Sequence, residues 1–295
     1  MSINAVKQLS IMKNILLPTD FSENSWNAIK YAISLFKETA CNFYLLHVTL
    51  ISYSSGSGDY PLVATQGIIE NTLLKQAKTA IKKQLKKCEL LTKNPKHNFF
   101  TITSYDFFID SVKNHLKEKN IDLIVMGTKG ASGLNEVLIG SNTGDLITQV
   151  QCPTLIVPEN SIYKPLKEIA FPTDYNIFYQ TKVLKEILEF MKLQDAFLRV
   201  VHITKKDENL TPYQVENKEM LHTFFTDEKC TFHKITNKKT EEGIQCFTES
   251  RDIDMIVMIA KNLNLFQRIL FRPTVEEISY HTEIPFLVLH EEFKY

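Results

Sequence analysis

Asn14-Ile15-Leu16-Leu17-Pro18-Thr19-Asp20-Phe21 recurs 154 residues later as Glu168-Ile169-Ala170-Phe171-Pro172-Thr173-Asp174-Tyr175. A short apolar run closed by Pro-Thr-Asp reads as a buried strand ending in a turn, and its return marks an internal duplication. Other blocks return in the same order. Leu46-His47-Val48-Thr49 reappears as Val201-His202-Ile203-Thr204 at an offset of 155, and Asp122 to Met126 reappears as Asp254 to Met258 at an offset of 132. That last offset also carries Cys152-Pro153-Thr154-Leu155-Ile156-Val157 onto Ile284-Pro285-Phe286-Leu287-Val288-Leu289. The second copy is therefore about 23 residues shorter between its second and fourth strands. The copies are expected at 12–159 and 167–291, joined by a polar stretch containing Pro165, with residues 1–11 as a loose extension.

Within each copy, apolar runs too short for helices alternate with helical patterns. Ile15–Leu17, Phe43–His47, Phe99–Thr103, Leu123–Met126 and Thr154–Val157 suit strands covered on both faces. Trp26, Ile29, Ile33 and Phe36 follow the capping candidate Ser22 at helical spacing, and Leu74, Ala77, Ile81, Leu85 and Cys88 line a longer helix. Five strands joined by helices make an α/β domain with a parallel, doubly wound sheet, since parallel neighbours need crossovers. The final strand of each copy would be a sheet edge, so Thr154–Val157 and Phe286–Leu289 can satisfy one another and form a pseudo-dimer within one chain. Self-association between chains through other edges stays open.

The bulk composition narrows the function. Lys plus Arg equals Asp plus Glu at 34 each, so no global positive field draws the chain to nucleic acid or an anionic membrane. No apolar stretch of signal-peptide or membrane-spanning length is present, which favours a cytoplasmic location. The five cysteines form no Cys-x-x-Cys pair and read as small apolar fillers in a reduced protein.

Chemistry is expected beyond the carboxyl ends of the strands, where strand order reverses. After the fourth strand stands Gly127-Thr128-Lys129-Gly130, then Gly140-Ser141-Asn142-Thr143-Gly144 opening a helix, a Gly-x2-Gly-x9-Gly-Ser spacing. Four of the nine glycines lie between Gly127 and Gly140, more than a turn requires. Glycines let main-chain amides approach phosphate oxygens, a helix start adds donors and dipole, and Lys129 can neutralise charge. The spacing is neither the P-loop nor the dinucleotide fingerprint.

Together, Leu17-Pro18-Thr19-Asp20 with Ser22, Leu46-His47-Val48, Asp122 to Met126, and the glycine spacing resemble the universal stress protein family, in its tandem two-domain form. The resemblance implies an adenine-nucleotide ligand, ATP with Mg2+. Pro18, Thr19 and Asp20 would face the ribose or a hydrated cation, and Val48 would offer backbone groups to adenine. Met126, Gly127, Lys129, Gly130, Gly140, Ser141, Asn142 and Thr143 would surround the phosphates. Plainer readings stand beside these: Asp20 as a helix cap, Val48 as core, and His47, which recurs as His202, as a packed strand residue.

The second copy places Ile259, Asn262, Arg272 and Pro273 where the first has Gly127, Gly130, Gly140 and Ser141. Side chains would fill the phosphate space and Pro273 removes an amide donor, so the second copy reads as a structural and regulatory partner. Arg272 and Lys261 leave room for a different anionic ligand. No nucleophile with a base, zinc ligand set or Gly-x-Ser-x-Gly elbow is apparent, so at most slow ATP hydrolysis is expected. Two functions remain: an ATP-binding stress-response sensor, or a nucleotide-independent scaffold of paired domains.

Overall fold

The computed structural model describes residues 12–49, 62–128, 141–206, 208–260 and 283–291. The first copy runs β1 (Lys13–Pro18), α1 (Glu23–Leu35), β2 (Cys41–Thr49), α2 (Leu62–Leu91), β3 (His97–Tyr105), α3 (Phe108–Glu118), β4 (Leu123–Gly127), α4 (Ser141–Gln149) and β5 (Thr154–Val157). The second runs β6 (Glu168–Pro172), α5 (Thr181–Gln194), β7 (Phe197–Thr204), α6 (Pro212–Phe224), β8 (Cys230–Thr236), α7 (Thr240–Ser250), β9 (Met255–Ile259) and β10 (Phe286–Leu289). The shortening of the second copy falls largely on one helix, since α6 has 13 residues where α2 has 30.

All ten strands form one sheet in the order β3-β2-β1-β4-β5-β10-β9-β6-β7-β8. Each half is parallel, and its strand order is the mirror of the other's. Ile15 and Leu16 lie beside Leu123 and Ile124, as Ile169 and Ala170 lie beside Met255 and Ile256, so the sequence offsets of 154 and 132 hold in the register. The halves join through the antiparallel pair β5–β10, where Leu155 faces Leu287 and the flanking pairs are Ile156 with Phe286 and Thr154 with Val288. Leu155 and Leu287 are repeat equivalents, so the pseudo-twofold axis passes between them. Both are fully buried.

Strand side chains alternate between two cores, as a two-faced sheet requires. Ile15, Leu17, Leu155, Val157, Ile169, Phe171, Leu287 and Leu289 face one layer, which α1, α2, α5 and α6 cover. Leu16, Ile124, Ile156, Ala170, Ile256 and Phe286 face the other, beneath α3, α4 and α7. Each core runs without interruption from one copy to the other. Cys41, Cys88 and Cys152 are fillers of this packing, whereas Cys246 is exposed on α7 and departs from that expectation.

The segment between the copies is held by α1. The Asn27 side-chain amide donates to the Glu159 and Ser161 carbonyls at 3.2 and 2.8 Å, and Tyr163 stands edge-on to Tyr31 with centroids 5.4 Å apart. Gln194 on α5 accepts from the Tyr163 hydroxyl at 3.2 Å and donates to the Leu35 carbonyl at 3.1 Å. A repeated carboxylate fixes the entry to each first strand: Asp122 accepts from the Asn14 amide at 2.7 Å, and Asp254 from the Glu168 amide at 3.0 Å.

Because the cores are shared, the halves should unfold together. Leu287→Ala opens a cavity at the central pair and is expected to cost about 2–5 kcal/mol. The single tryptophan, Trp26, lies in the other copy. Denaturant midpoints read by Trp26 fluorescence and by far-ultraviolet circular dichroism should shift equally, and a shift confined to the second signal would contradict a common core.

Candidate functional site

Strand lengths create a notch at the carboxyl end of the first copy. β1 pairs with β2 only as far as Pro18 opposite Leu46, while β2 continues against β3 to Thr49 opposite Tyr105. On the other flank β4 reaches Gly127, opposite Val157. Strand order reverses at this point, between β1 and β4, the usual place for a ligand crevice in an open α/β sheet.

The Pro-Thr-Asp-aromatic motif forms the floor. Phe21 takes a left-handed backbone with φ 66°, and Tyr175 repeats it at 59°. This conformation is uncommon for a bulky side chain and persists only where surroundings hold it. The Phe21 amide donates to the Thr19 hydroxyl at 3.1 Å, and His47 Nδ1 donates to the Thr19 carbonyl at 2.8 Å. The His47 ring then stacks on Phe21 with centroids 4.3 Å apart. Thr173, Tyr175 and His202 reproduce the set, with amide and imidazole bonds of 2.9 Å each. The recurrent histidine is therefore a turn brace, consistent with its reading as a packed strand residue.

Ser22, not Asp20, caps α1: its hydroxyl accepts from the Ser25 amide at 3.2 Å. Asp20 Oδ1 in turn accepts from the Ser22 amide at 3.0 Å and the Ser22 hydroxyl at 2.6 Å, so the carboxylate stands beside the start of α1 and holds the cap.

Gly127 is the meeting point of two helix starts. A Cβ on Gly127 would lie 2.5 Å from Asn24 Oδ1, in the first turn of α1. From α4, the buried Thr143 hydroxyl donates to the Gly127 carbonyl at 3.2 Å. The space above the Gly127 Cα, expected from the sequence to admit a ligand, is filled by Asn24, so helix packing already requires a glycine there. Thr143 likewise has a structural partner. The amino ends of α1 and α4 nevertheless converge beside the notch, and helix starts present free amides and positive dipole ends.

Of the other expected site residues, Pro18, Thr19 and Met126 are buried at the strand ends, and Asn142 is exposed at the start of α4. The Val48 side chain packs into the α3–α4 core, matching its plainer reading, while its backbone lies past the last β1 partner. Ser141 opens α4. Lys129, Gly130 and Gly140, with Lys261, Asn262, Arg272 and Pro273 of the second copy, lie outside the described residues.

The second copy fills the corresponding end with side chains. Ile259 lies opposite Leu289 as Gly127 lies opposite Val157, and it is buried. Its first helix begins at Thr181, four residues later than the repeat of Glu23, and the replaced turn buries Ile177 and Tyr179. Tyr179 occupies the place of Ser25; its hydroxyl bonds the Thr173 hydroxyl as Ser25 bonds Thr19, and burial raises the phenol above its usual range. From α6, Asn217 and Gln214 donate to the Tyr175 and Asp174 carbonyls at 2.8 and 2.7 Å. Asn24 carries no motif that marks its contact with Gly127, whereas the Ser25-to-Tyr179 difference stands in the sequence at the repeat offset of 154.

Gly127→Ala is expected to destabilise the protein by about 1–3 kcal/mol through this overpacking. Adding Asn24→Ala removes the clashing amide and should restore most of the loss in thermal melts; failure to do so would mean that another neighbour sets the glycine requirement.

A sequence model of the Universal stress protein family matches residues 12–158. Universal stress protein MJ0531 of Methanocaldococcus jannaschii is 31% identical over 159 residues, covering 54% of this chain and 86% of that protein. Universal stress protein Slr1230 of Synechocystis is 23% identical over 293 residues, covering 94% of this chain and 99% of its own. Among solved structures, a universal stress protein from Archaeoglobus fulgidus superposes with a TM-score of 0.65 at 16% identity, over 94% of this chain and 98% of that one. The duplicated α/β fold, the Pro-Thr-Asp turn and these similarities together make the chain a member of the universal stress protein family.

Proposed function

We propose that the first copy, residues 12–159, binds an adenine nucleotide, ATP with magnesium, and that the protein acts as a nucleotide-responsive factor in a stress response. The second copy, residues 167–291, would be its structural and regulatory partner. The observation that carries this reading is the notch at the end of β1, toward which the starts of α1 and α4 converge, next to a sequence with Gly-x2-Gly-x9-Gly-Ser spacing. Such an end favours a polyphosphate, because backbone amides and helix dipoles offer positive potential without bulk.

In this reading the phosphates sit by Gly127, Lys129, Gly130, Gly140, Ser141 and Asn142, with Met126 and Thr143 shaping the support beneath them. The ribose lies over Pro18, Thr19 and Asp20, and the base lies against the Val48 backbone. Magnesium fits a site of this kind, since it is commonly held by one or two carboxylates together with phosphate oxygens and water. Asp20 would supply the carboxylate. No cluster of three or more potential metal-ligating side chains occurs among the described residues, so the cation would arrive with the nucleotide. Restriction to the first copy is supported by buried Ile259 and Tyr179 in the second.

The test is titration of the whole protein with ATP and magnesium by calorimetry. Binding with Kd on the order of 1 μM, about 8 kcal/mol, is expected for the native chain. Gly140→Arg, which installs the second copy's residue, should abolish the heat while leaving Trp26 fluorescence and the melting curve native. Absence of binding by the native chain would refute the nucleotide reading and leave the paired-domain scaffold.

A further inference from the structure

α2 carries a charge pattern that covering the sheet does not require. Its buried side is made by Ala77, Ile81, Gln84 and Cys88. Its solvent side, from Asn71 to Leu91, holds Lys75, Lys78, Lys82, Lys83, Lys86 and Lys87, all exposed, against the single carboxylate of Glu89. Lys75, Lys78, Lys82 and Lys86 follow one another at steps of three and four residues and so form one ridge over about 16 Å of helix. Like charges at such steps repel and weaken a helix. None of the six is in an ion pair among the described residues. Lys87 leans over the Trp26 ring of α1, 5.5 Å from its centroid. Complementing the helix dipole accounts for Lys86 and Lys87 near the carboxyl end, but not for the four lysines before them. α6, which occupies the same place in the second copy, has Lys218 with Glu216 and Glu219, so this position in the fold does not demand lysine. The whole chain balances 34 basic residues against 34 acidic ones, and the ridge is therefore a local field on a neutral molecule.

The ridge runs into apolar side chains. Leu90, four residues beyond Lys86 on the same line, is 82% exposed, and Leu91 is 48% exposed. Isolated exposed leucines are ordinary. Here they end a file of lysines, a combination suited to the boundary between lipid headgroups and acyl chains, where cations meet phosphate and a leucine leaves water. Duplex nucleic acid would satisfy the lysines, but its phosphate surface offers the leucines nothing. From Asn71 to Leu91 there is no arginine and no aromatic residue with which to read or stack bases. We propose that the exposed face of α2 docks the protein on an anionic lipid surface, with the lysines at the headgroups and Leu90 and Leu91 at the acyl boundary. α2 ends where the chain turns into β3, so the leucines stand at the amino end of the sheet, opposite the notch, and a docked protein keeps that notch open to solution. Docking of this kind needs no nucleotide.

The experiment is cosedimentation of the full chain with vesicles of phosphatidylcholine alone or of an equal mixture with phosphatidylserine. Binding is expected to the mixed vesicles only, with release as salt rises from about 0.1 M to about 1 M and the screening length falls from about 10 Å to about 3 Å. Lys78→Glu with Lys86→Glu leaves Lys82 between opposite charges four residues away on either side, which favours the helix. Its melting temperature should therefore hold or rise, while affinity for the mixed vesicles falls by about hundredfold or more, at roughly fivefold per unit charge. Lys78→Arg with Lys86→Arg keeps the charge and should bind as the native chain does. Leu90→Ser should weaken binding by about tenfold through loss of the acyl contact. Failure of the native chain to bind the mixed vesicles, equal binding to both kinds, or undiminished binding by the double glutamate variant overturns the proposal. An affinity unmoved by Leu90→Ser, or tighter binding to duplex DNA than to the mixed vesicles, would show a general polyanion contact and overturns it as well.

Discussion

The antiparallel contact between β5 and β10 organises everything else in the molecule. Each five-stranded half would end in a bare edge, a row of unpaired amides and carbonyls that invites a further strand. Here the two edges close on each other about Leu155 and Leu287, turning two small sheets into one of ten strands. The consequence is energetic as well as topological. Apolar side chains on both faces of the central strands are buried by helices from both halves, so neither half carries a core of its own that stops at its boundary. The clasp of Asn27 on the connecting segment and the Gln194 bridge to α1 add polar contacts to a union already made by apolar burial.

Within this symmetric frame the carboxyl ends have diverged. Both halves keep the same left-handed aromatic turn, braced by a threonine hydroxyl and a histidine from the next strand, because that turn must redirect the chain from strand to helix in a crowded place. Past the turn the two halves part. In the first half a serine-capped helix begins at once and packs its Asn24 over Gly127. In the second, Ile177 and Tyr179 enter the space, Ile259 replaces the glycine, and α6 ties the turn down through Asn217 and Gln214. That end of the second copy buries Ile177, Tyr179 and Ile259 where the first places Glu23, Ser25 and Gly127, a divergence that a duplication permits.

The duplication, the strand and helix alternation, the parallel sheet and even the pairing of the two final strands were legible from residue patterns, because these rest on periodicity and on repeated blocks that survive at fixed offsets. The candidate site was legible in part. Asp20, Gly127 and the start of α4 do meet at one end of the sheet, yet the reasons differ from those a linear reading supplies. Gly127 excludes a side chain because a helix lies on it, Thr143 is engaged by the Gly127 carbonyl, and Asp20 supports a cap that belongs to Ser22.

The sequence by itself determined which residues are apolar, where they alternate, and that the chain contains the same unit twice, because the local burial period is written residue by residue. Only the tertiary structure decided which groups share a cavity and which are already occupied by one another. Contacts such as Asn24 on Gly127, or Tyr179 on Thr173, depend on the angle at which a helix crosses a strand end, and that angle is set by the packing of the whole sheet.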